Sequence, residues 1–302
     1  MKKIVIILLI LQILGCSSVK VKKEETKEEK YKIIKGLNLA EAGNLSGALE
    51  SFKKAYEINP KNVLTVRSIG LAYLKLGDNE RGVKYLNEAL KIDKDDEKSL
   101  YNLAILNYEN ENYKKAKEYL EGIPVEKINL EIIKAKAYVY YKLTDYKKSY
   151  LEFNKLFQKR KKKEIPTETY EVYVDVLKKN KLNNKIYPFL YSIYQRNLNN
   201  LGNRLLLVNY LNEIEAYDES IDILKDYGIK NGFNEIILYN LAQCFFKKGD
   251  YETSYNYMML MDDNKKMEMN NLKLMMKIYE ARGEEKEFIK LKKIIEKLKG
   301  KE

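Results

Sequence analysis

The chain of 302 residues contains no histidine and only two cysteines. The absence of histidine removes the most common general base, the usual zinc ligand and every catalytic triad that depends on an imidazole. Two cysteines are too few for a clustered thiolate metal site. The sequence also lacks a glycine-rich phosphate loop after a strand and a strained nucleophile turn. We therefore expect no enzymatic activity, no metal site and no cofactor.

Proline and strand-like patterns are also scarce. The chain has four prolines and fourteen glycines, which argues against a disordered chain. No stretch alternates apolar and polar residues between turn signals, so we expect no β-strand. Hydrophobic residues make up 45% of the chain, which is enough for a packed core.

A pattern of small and bulky residues returns after 34 residues. Its two clearest copies are Gly36, Leu39, Gly43, Ala48, Phe52 and Ala55, followed by Gly70, Tyr73, Gly77, Gly82, Leu86 and Ala89. Small residues at Gly36 and Ala48 predict that two antiparallel helices approach closely, with bulky residues beside the contact. The glycines at 43 and 77 predict the end of the first helix. A fixed period of this size is typical of a stacked helical repeat.

This pattern resembles the tetratricopeptide repeat, a helix-turn-helix unit of 34 residues. Its register predicts eight units that start near residues 29, 63, 97, 130, 166, 201, 235 and 269. The resemblance implies an all-α fold, a right-handed superhelical solenoid of about eight repeats over residues 31–302. The fifth unit keeps the pattern poorly, and Ile165-Pro166 predicts a bend between two four-unit halves rather than a domain boundary.

The N-terminal residues predict export. Two lysines precede an apolar run at residues 4–14 that is too short to span a membrane, which indicates a signal peptide at residues 1–15. Ile13-Leu14-Gly15-Cys16 resembles the lipobox of bacterial lipoproteins, which implies cleavage before Cys16 and attachment of lipids, palmitate among them, to that cysteine. The alternative is an uncleaved anchor with an incidental cysteine. Residues 16–30 are highly charged and predict a flexible tether.

The formal net charge of the chain is +12. Because the lysines are spread along the sequence and export is expected, nucleic acid is not the expected partner. An acidic protein, anionic lipid or wall polymer fits this charge better. The alternative is a solvated lysine-rich surface. Cys244 lies among apolar residues and is expected to be a buried, inert thiol.

The family resemblance also implies where a partner would bind. In tetratricopeptide domains the first helices line a concave groove that holds a peptide or a partner helix. Carried over by register, the contact positions are Arg67, Tyr101, Tyr108, Lys134, Tyr138, Tyr141, Tyr170, Asn209, Tyr239, Gln243, Phe246, Lys273 and Lys277. Tyrosines beside basic groups suit an extended segment with acidic or aromatic residues. The alternative is that several of these tyrosines pack between helices. Of the family's clamp for a C-terminal carboxylate, only Asn102 is in place.

These observations predict a lipid-anchored scaffold of the bacterial cell envelope. It would bind an extended or helical segment of a partner protein in its groove and so assemble or localise a complex at the membrane. Ser17 after the modified cysteine implies the outer membrane in a cell that has two membranes. The alternative function is a surface lipoprotein that binds glycan or cell-wall polymer, although the absence of tryptophan weighs against it.

Overall fold

The computed structural model describes residues 26–159 and 165–299, and every regular element in these two ranges is a helix. The contacts divide the chain into two compact units, one up to residue 163 and one from residue 164. This division lies close to Ile165-Pro166, where the sequence predicts a bend rather than a domain boundary, and that interpretation stays a prediction. Pro166 has extended backbone and directly precedes the helix that begins at Thr167. The predicted signal peptide, Cys16 and most of the predicted tether lie outside the described residues.

Unit 1 consists of four helix pairs. They are α1 (Lys27–Glu41) with α2 (Leu45–Ile58), α3 (Val63–Lys75) with α4 (Asn79–Ile92), α5 (Glu97–Glu109) with α6 (Tyr113–Glu121), and α7 (Leu130–Lys142) with α8 (Tyr146–Lys159). Each helix packs on the next in the chain. The short helix α6 ends one residue before Gly122, and the chain then turns through Pro124 into a 3-10 segment at Val125–Lys127.

Unit 2 also consists of helix pairs. They are α9 (Thr167–Lys179) with α10 (Ile186–Arg196), α11 (Leu201–Glu213) with α12 (Tyr217–Asn231), α13 (Glu235–Lys248) with α14 (Tyr251–Met259), and α16 (Met269–Ala281) with α17 (Glu285–Lys299). A one-turn helix, α15 (Asp263–Lys266), precedes the last pair. The all-helical architecture of consecutive helix pairs is therefore confirmed. The first helices of the eight pairs begin at residues 27, 63, 97, 130, 167, 201, 235 and 269.

Helix α1 begins earlier than the sequence suggests. The Thr26 hydroxyl accepts a hydrogen bond from the Glu29 backbone N–H at 3.1 Å and so caps the helix. The Glu29 side chain is buried and accepts a hydrogen bond from Asn62 Nδ2 at 2.7 Å in the next repeat. Residues 27–30 are therefore part of the folded unit, and the prediction that the tether extends to residue 30 is wrong for them.

Small residues bring the two helices of a repeat together, as the 34-residue pattern predicts. A Cβ atom on Gly70 would lie 3.1 Å from the Gly82 carbonyl oxygen, so α3 and α4 touch at their backbones. Three other repeats carry a buried serine at the same place on the second helix. The Oγ atom of Ser149 donates to the Ala137 carbonyl at 2.9 Å, and Ser254 donates to Ala242 at 2.7 Å. Ser220 makes the equivalent bond to Val208 at 3.4 Å.

Large apolar side chains fill the space beside these contacts. Phe52, Leu86, Leu103 and Phe153 are almost completely buried in unit 1. In unit 2, a cluster that includes Leu238, Met258 and Ile278 joins α13, α14 and α16. Cys244 is fully buried in α13, and burial raises the pKa of its thiol to about 11, as expected for an inert cysteine. Among the described residues, no helix combines the length and apolar character that crossing a bilayer requires.

Candidate functional site

Four half-buried tyrosines lie on two neighbouring first helices of unit 1. They are Tyr101 and Tyr108 on α5 and Tyr138 and Tyr141 on α7, and we call this set the tyrosine face. Their spacings of seven and three residues place each pair along one side of its helix. The sequence fixes where both helices start, because Asp96 and Asn129 accept hydrogen bonds from backbone N–H groups in the first turns of α5 and α7.

Each helix partner supports one side of these rings. The ring centroid of Tyr138 lies 5.7 Å from that of Phe153 on α8, and the Tyr141 ring lies 6.1 Å from that of Tyr146. The Tyr108 ring lies 5.3 Å from Tyr113 in an edge-to-face arrangement. These contacts restrict the rotamers of the tyrosines and leave part of each ring at the surface. A rigid aromatic surface loses little side-chain entropy when a partner binds.

The electrostatics show that the tyrosine face is partly dehydrated. Burial, followed by the nearby Tyr113, Tyr138 and Tyr141 hydroxyls, raises the pKa of Tyr108 to about 12. Burial also raises the pKa of Tyr101 well above its ordinary value, and the Glu131 carboxylate adds to this shift. The phenols of Tyr101 and Tyr108 are therefore neutral hydrogen-bond donors near neutral pH.

Two lysines flank the tyrosine face. The Lys134 ammonium lies 6.0 Å from the centroid of the Tyr138 ring. Burial lowers the pKa of Lys98, and the positive charge of Arg67 lowers it further, partly offset by Glu97 and Asp96. Neither lysine forms an ion pair with another residue in the described ranges. A carboxylate on a bound partner could therefore form the ion pair that Lys98 lacks among the described residues.

Arg67, which the sequence also placed at the binding surface, has a structural role. Its guanidinium forms an ion pair with Asp96, and the two side chains are only 14% and 7% exposed. Because Asp96 also accepts a hydrogen bond from the Ser99 backbone N–H, Arg67 connects α3 to the start of α5. Its charge is therefore already balanced inside the protein.

The predicted site residues of unit 2 do not form a comparable set. Tyr170 is only 2% exposed and its ring lies 5.9 Å from that of Phe189, so the prediction that it contacts a partner is wrong. The poor fifth repeat places an aromatic residue on α10, and Tyr170 packs against it instead of facing solvent. Gln243 donates a hydrogen bond to the Tyr239 hydroxyl at 2.8 Å, and both are half-buried on α13.

The remaining predicted positions of unit 2 are more scattered. Phe246 is half-buried, and its ring lies 5.4 Å from that of Tyr251. Asn209, Lys273 and Lys277 are exposed on α11 and α16. Sequence reasoning missed Lys98 and Glu131, although both occupy the second position of their repeats, which is a contact position in the family. Of the predicted positions, those on α5 and α7 form the most coherent surface.

Comparisons with known proteins agree with this architecture. Residues 39–98 match the family model described as Tetratricopeptide repeat. The chain is 34% identical over 64 residues to the Protein CTR9 homolog of Arabidopsis thaliana, and this match covers 21% of the chain and 6% of that protein. Among the described residues, no group of three or more histidine, cysteine, aspartate or glutamate side chains is arranged to hold a metal ion.

Several solved structures are similar to this chain at low identity. The MamA protein is 16% identical, with 56% of this chain and 92% of that chain covered and a TM-score of 0.46. PilF of Pseudomonas aeruginosa is 16% identical, with 77% and 89% covered and a TM-score of 0.40. A tetratricopeptide repeat protein of Parabacteroides merdae is 16% identical, with 90% and 98% covered and a TM-score of 0.38. At these identities the likeness concerns the fold alone.

Proposed function

We propose that this member of the tetratricopeptide repeat family is a lipid-anchored scaffold of the bacterial cell envelope that binds a partner protein through the tyrosine face. Its partner is an extended or helical segment that presents a carboxylate next to aromatic or apolar side chains. Binding this segment localises or assembles a membrane-associated complex. The protein itself carries out no chemical reaction.

The tyrosine face is the observation that carries this proposal. Partly dehydrated aromatic rings held against a rigid scaffold are the groups that dominate the energy of protein interfaces. Tyr108 and Tyr138 provide apolar area and a hydroxyl donor in the same side chain, while Lys98 and Lys134 select for negative charge. A carboxylate that pairs with Lys98 would also favour the protonated form of this lysine, whose pKa the protein lowers.

Affinity capture from chemically crosslinked cells tests the site. We expect one dominant protein partner with the unaltered chain and a loss of at least about tenfold with Tyr101→Ala/Tyr138→Ala, because aromatic hot spots contribute about 2 kcal/mol or more each. Lys98→Glu/Lys134→Glu should cause a similar loss by charge repulsion without removing a ring. The matched control is Tyr31→Ala/Tyr191→Ala, which removes two tyrosines that are 61% and 40% exposed elsewhere.

Two outcomes would contradict the proposed site. One is equal loss of the partner in the control and in the tyrosine-face variants. The other is competition by soluble wall polysaccharide together with recovery of carbohydrate alone, which would favour the glycan-binding function. Circular dichroism of each variant checks that the helices are retained.

The lipid anchor is tested separately at Cys16. Replacing this residue with serine removes the thiol that the expected lipid modification requires, so we expect Cys16→Ser to leave the detergent phase after phase separation. Cys244→Ser is the control, because Cys244 is buried in α13. If Cys16→Ser still partitions into detergent as the unaltered protein does, the proposed anchoring by lipid at this residue is wrong.

A further inference from the structure

The last helix of unit 2 carries a straight line of lysines on its outer side. Lys286, Lys290, Lys293 and Lys297 on α17 follow one another at steps of four, three and four residues, and all four are exposed. At 3.6 residues per turn this spacing keeps them on one face over about 16 Å. Helix α17 therefore concentrates four positive charges on one side.

The opposite face of α17 is the one that packs on the protein. Ile295 is buried, and Phe288 and Leu291 are half-buried towards α16. This confirms the main part of the apolar stripe predicted for the last helix, although its final member, Leu298, is 36% exposed. Because the two faces are nearly opposite around the helix, the lysine line points directly away from the core.

The four lysines of this line have acidic neighbours on α17, Glu287 and Glu296, but form no ion pair with them. None of the four lysines forms an ion pair with a residue in the ranges 26–159 and 165–299. Like charges three or four residues apart on a helix repel one another, and this arrangement makes three such pairs. Many exposed lysines elsewhere do have partners at this spacing, such as Lys54 with Glu50 and Lys265 with Glu268. An external anionic surface would remove the repulsion.

The shape of the line decides which anionic partner it fits. A helix that lies on a plane touches it along one line parallel to its axis, and the four ammonium groups follow such a line. They are lysines and not arginines, so they act as point charges and lack the planar fork that recognises an individual carboxylate or phosphate. Within Glu285–Lys299 the one aromatic residue is Phe288, which lies on the packed face, so the lysine line lacks the stacking ring that recognition of single-stranded nucleic acid uses.

We propose that the lysine line of α17 (Lys286, Lys290, Lys293 and Lys297) docks this protein on the anionic headgroups of a lipid bilayer. The contact is electrostatic and lies in the plane of the membrane surface. It needs neither the tyrosine face nor the acyl chains expected on Cys16. Its failure would therefore leave the proposed scaffold function standing.

Vesicle flotation with the full-length chain tests this contact. Binding to vesicles that contain roughly one-third phosphatidylglycerol is divided by binding to pure phosphatidylcholine vesicles, so that apolar contributions from the rest of the chain cancel. We expect K286Q/K290Q/K293Q/K297Q to lower this ratio by at least about tenfold, since each lysine near an anionic surface strengthens binding several-fold. About 0.5 M salt should lower the ratio of the unaltered chain in the same way.

The matched control removes the same charge elsewhere. Lys84, Lys91, Lys114 and Lys147 are exposed and lie on three different second helices of unit 1. The variant K84Q/K91Q/K114Q/K147Q should keep most of the preference for anionic vesicles. An equal drop in both variants would reduce the effect to net charge and overturn the proposal. The proposal would also be overturned if K286Q/K290Q/K293Q/K297Q lost binding to soluble heparin but kept an unchanged preference for anionic vesicles.

The lack of tryptophan in this chain allows a second measurement. Ile289 is 42% exposed beside the lysine line, and Leu151 is 56% exposed on α8. We expect the fluorescence of Ile289→Trp to shift to the blue when anionic vesicles are added, while that of Leu151→Trp stays unchanged. A shift at both positions, or only at Leu151→Trp, would contradict docking through α17.

Discussion

One residue with a positive φ angle follows the first helix in each of the eight repeats. It is glycine in four of them, at Gly43, Gly77, Gly249 and Gly283, with φ between 73° and 87°. The other four positions are Glu111, Thr144, Lys181 and Glu215, with φ between 59° and 62°. The turn is therefore the same where the glycine of the sequence pattern is missing. Left-handed backbone disfavours a side chain with a Cβ atom, so the four turns without glycine carry strain.

This strain predicts a stabilising substitution at residue 144. Thr144 is β-branched, has φ of 59° and is exposed, so it combines the least suitable side chain with no packing role. Thr144→Gly should raise the unfolding free energy by about 0.5–1 kcal/mol, because relief of about 1–2 kcal/mol of strain exceeds the added entropy of glycine in the unfolded chain. Thermal unfolding followed by circular dichroism measures the change.

Gly77→Ala is the matched control for the same turn. It places a Cβ atom on a residue with φ of 84°, where nothing else crowds the position. We expect a loss of about 1 kcal/mol, opposite in sign to the gain at residue 144. Two changes of the same sign would show that the left-handed turn is not the origin of the effect.

In the helix pair of the second repeat, close packing depends on two glycines, Gly70 and Gly82, at the contact between α3 and α4. A Cβ atom on Gly82 would lie 2.4 Å from Leu74 Cδ2 and 3.2 Å from the Gly70 carbonyl oxygen. Elsewhere in a helix, a change from glycine to alanine stabilises by up to about 1 kcal/mol through propensity. Here the crowding costs about 1–3 kcal/mol and should dominate.

We therefore expect Gly70→Ala/Gly82→Ala to lower the midpoint of thermal unfolding by several degrees, at about 2–4 °C for each kcal/mol lost. Ser46→Ala, an exposed position in α2, is the control and should change the free energy of unfolding by no more than about 0.5 kcal/mol. A higher midpoint for the double variant would mean that α3 and α4 do not touch at these glycines.

Second helices of successive repeats are joined by hydrogen bonds from tyrosine to glutamate. Tyr56 on α2 donates to Glu88 on α4 at 2.7 Å, and Tyr187 on α10 donates to Glu219 on α12 at 2.7 Å. The hydrogen bond to the carboxylate, followed by burial, raises the pKa of Tyr56 to about 12, and that of Tyr187 to about 12 as well. Both values exceed the ordinary tyrosine pKa of about 10.

These shifts predict how stability changes in alkali. Since the folded pKa lies above the unfolded one, the stabilisation is fully present below about pH 10 and is lost as the pH rises through about 12. Tyr56→Phe/Tyr187→Phe should therefore have a lower unfolding midpoint at pH 9 and a smaller further decrease up to pH 12, as measured by thermal unfolding. Tyr31→Phe is the control at an exposed tyrosine. Parallel decreases in all three proteins would contradict the role of these bonds.

For the whole molecule, the sequence predicted the structure best where the same physical requirement recurs from repeat to repeat. Close helix contacts need small residues and left-handed turns favour glycine, so Gly36, Gly43, Gly70 and Gly77 reveal the period and the helical fold. The strained turn at Thr144 shows why the pattern weakens in repeats three to six. In these repeats tertiary packing holds the same left-handed turn without glycine, and the local sequence does not reveal this.

The candidate site was predictable only in part, because a register gives the position of a residue but not its neighbours. Tyr101 and Tyr138 are half-buried, whereas Tyr170 is covered by Phe189 from the following helix. Arg67 occupies a contact position, yet its charge is balanced by Asp96 from the next repeat. Both outcomes depend on tertiary contacts that a 34-residue period does not specify.

Site-specific photocrosslinking in living cells tests the scaffold function most directly. A photoreactive phenylalanine analogue replaces Tyr138 on the tyrosine face or, in the matched control, Tyr191 on α10, which is 40% exposed. The account predicts one dominant protein adduct from position 138, little from position 191, and a decrease of at least about tenfold when Lys98→Glu is added. No adduct at position 138, or the same adducts at equal yield from both positions, would contradict it.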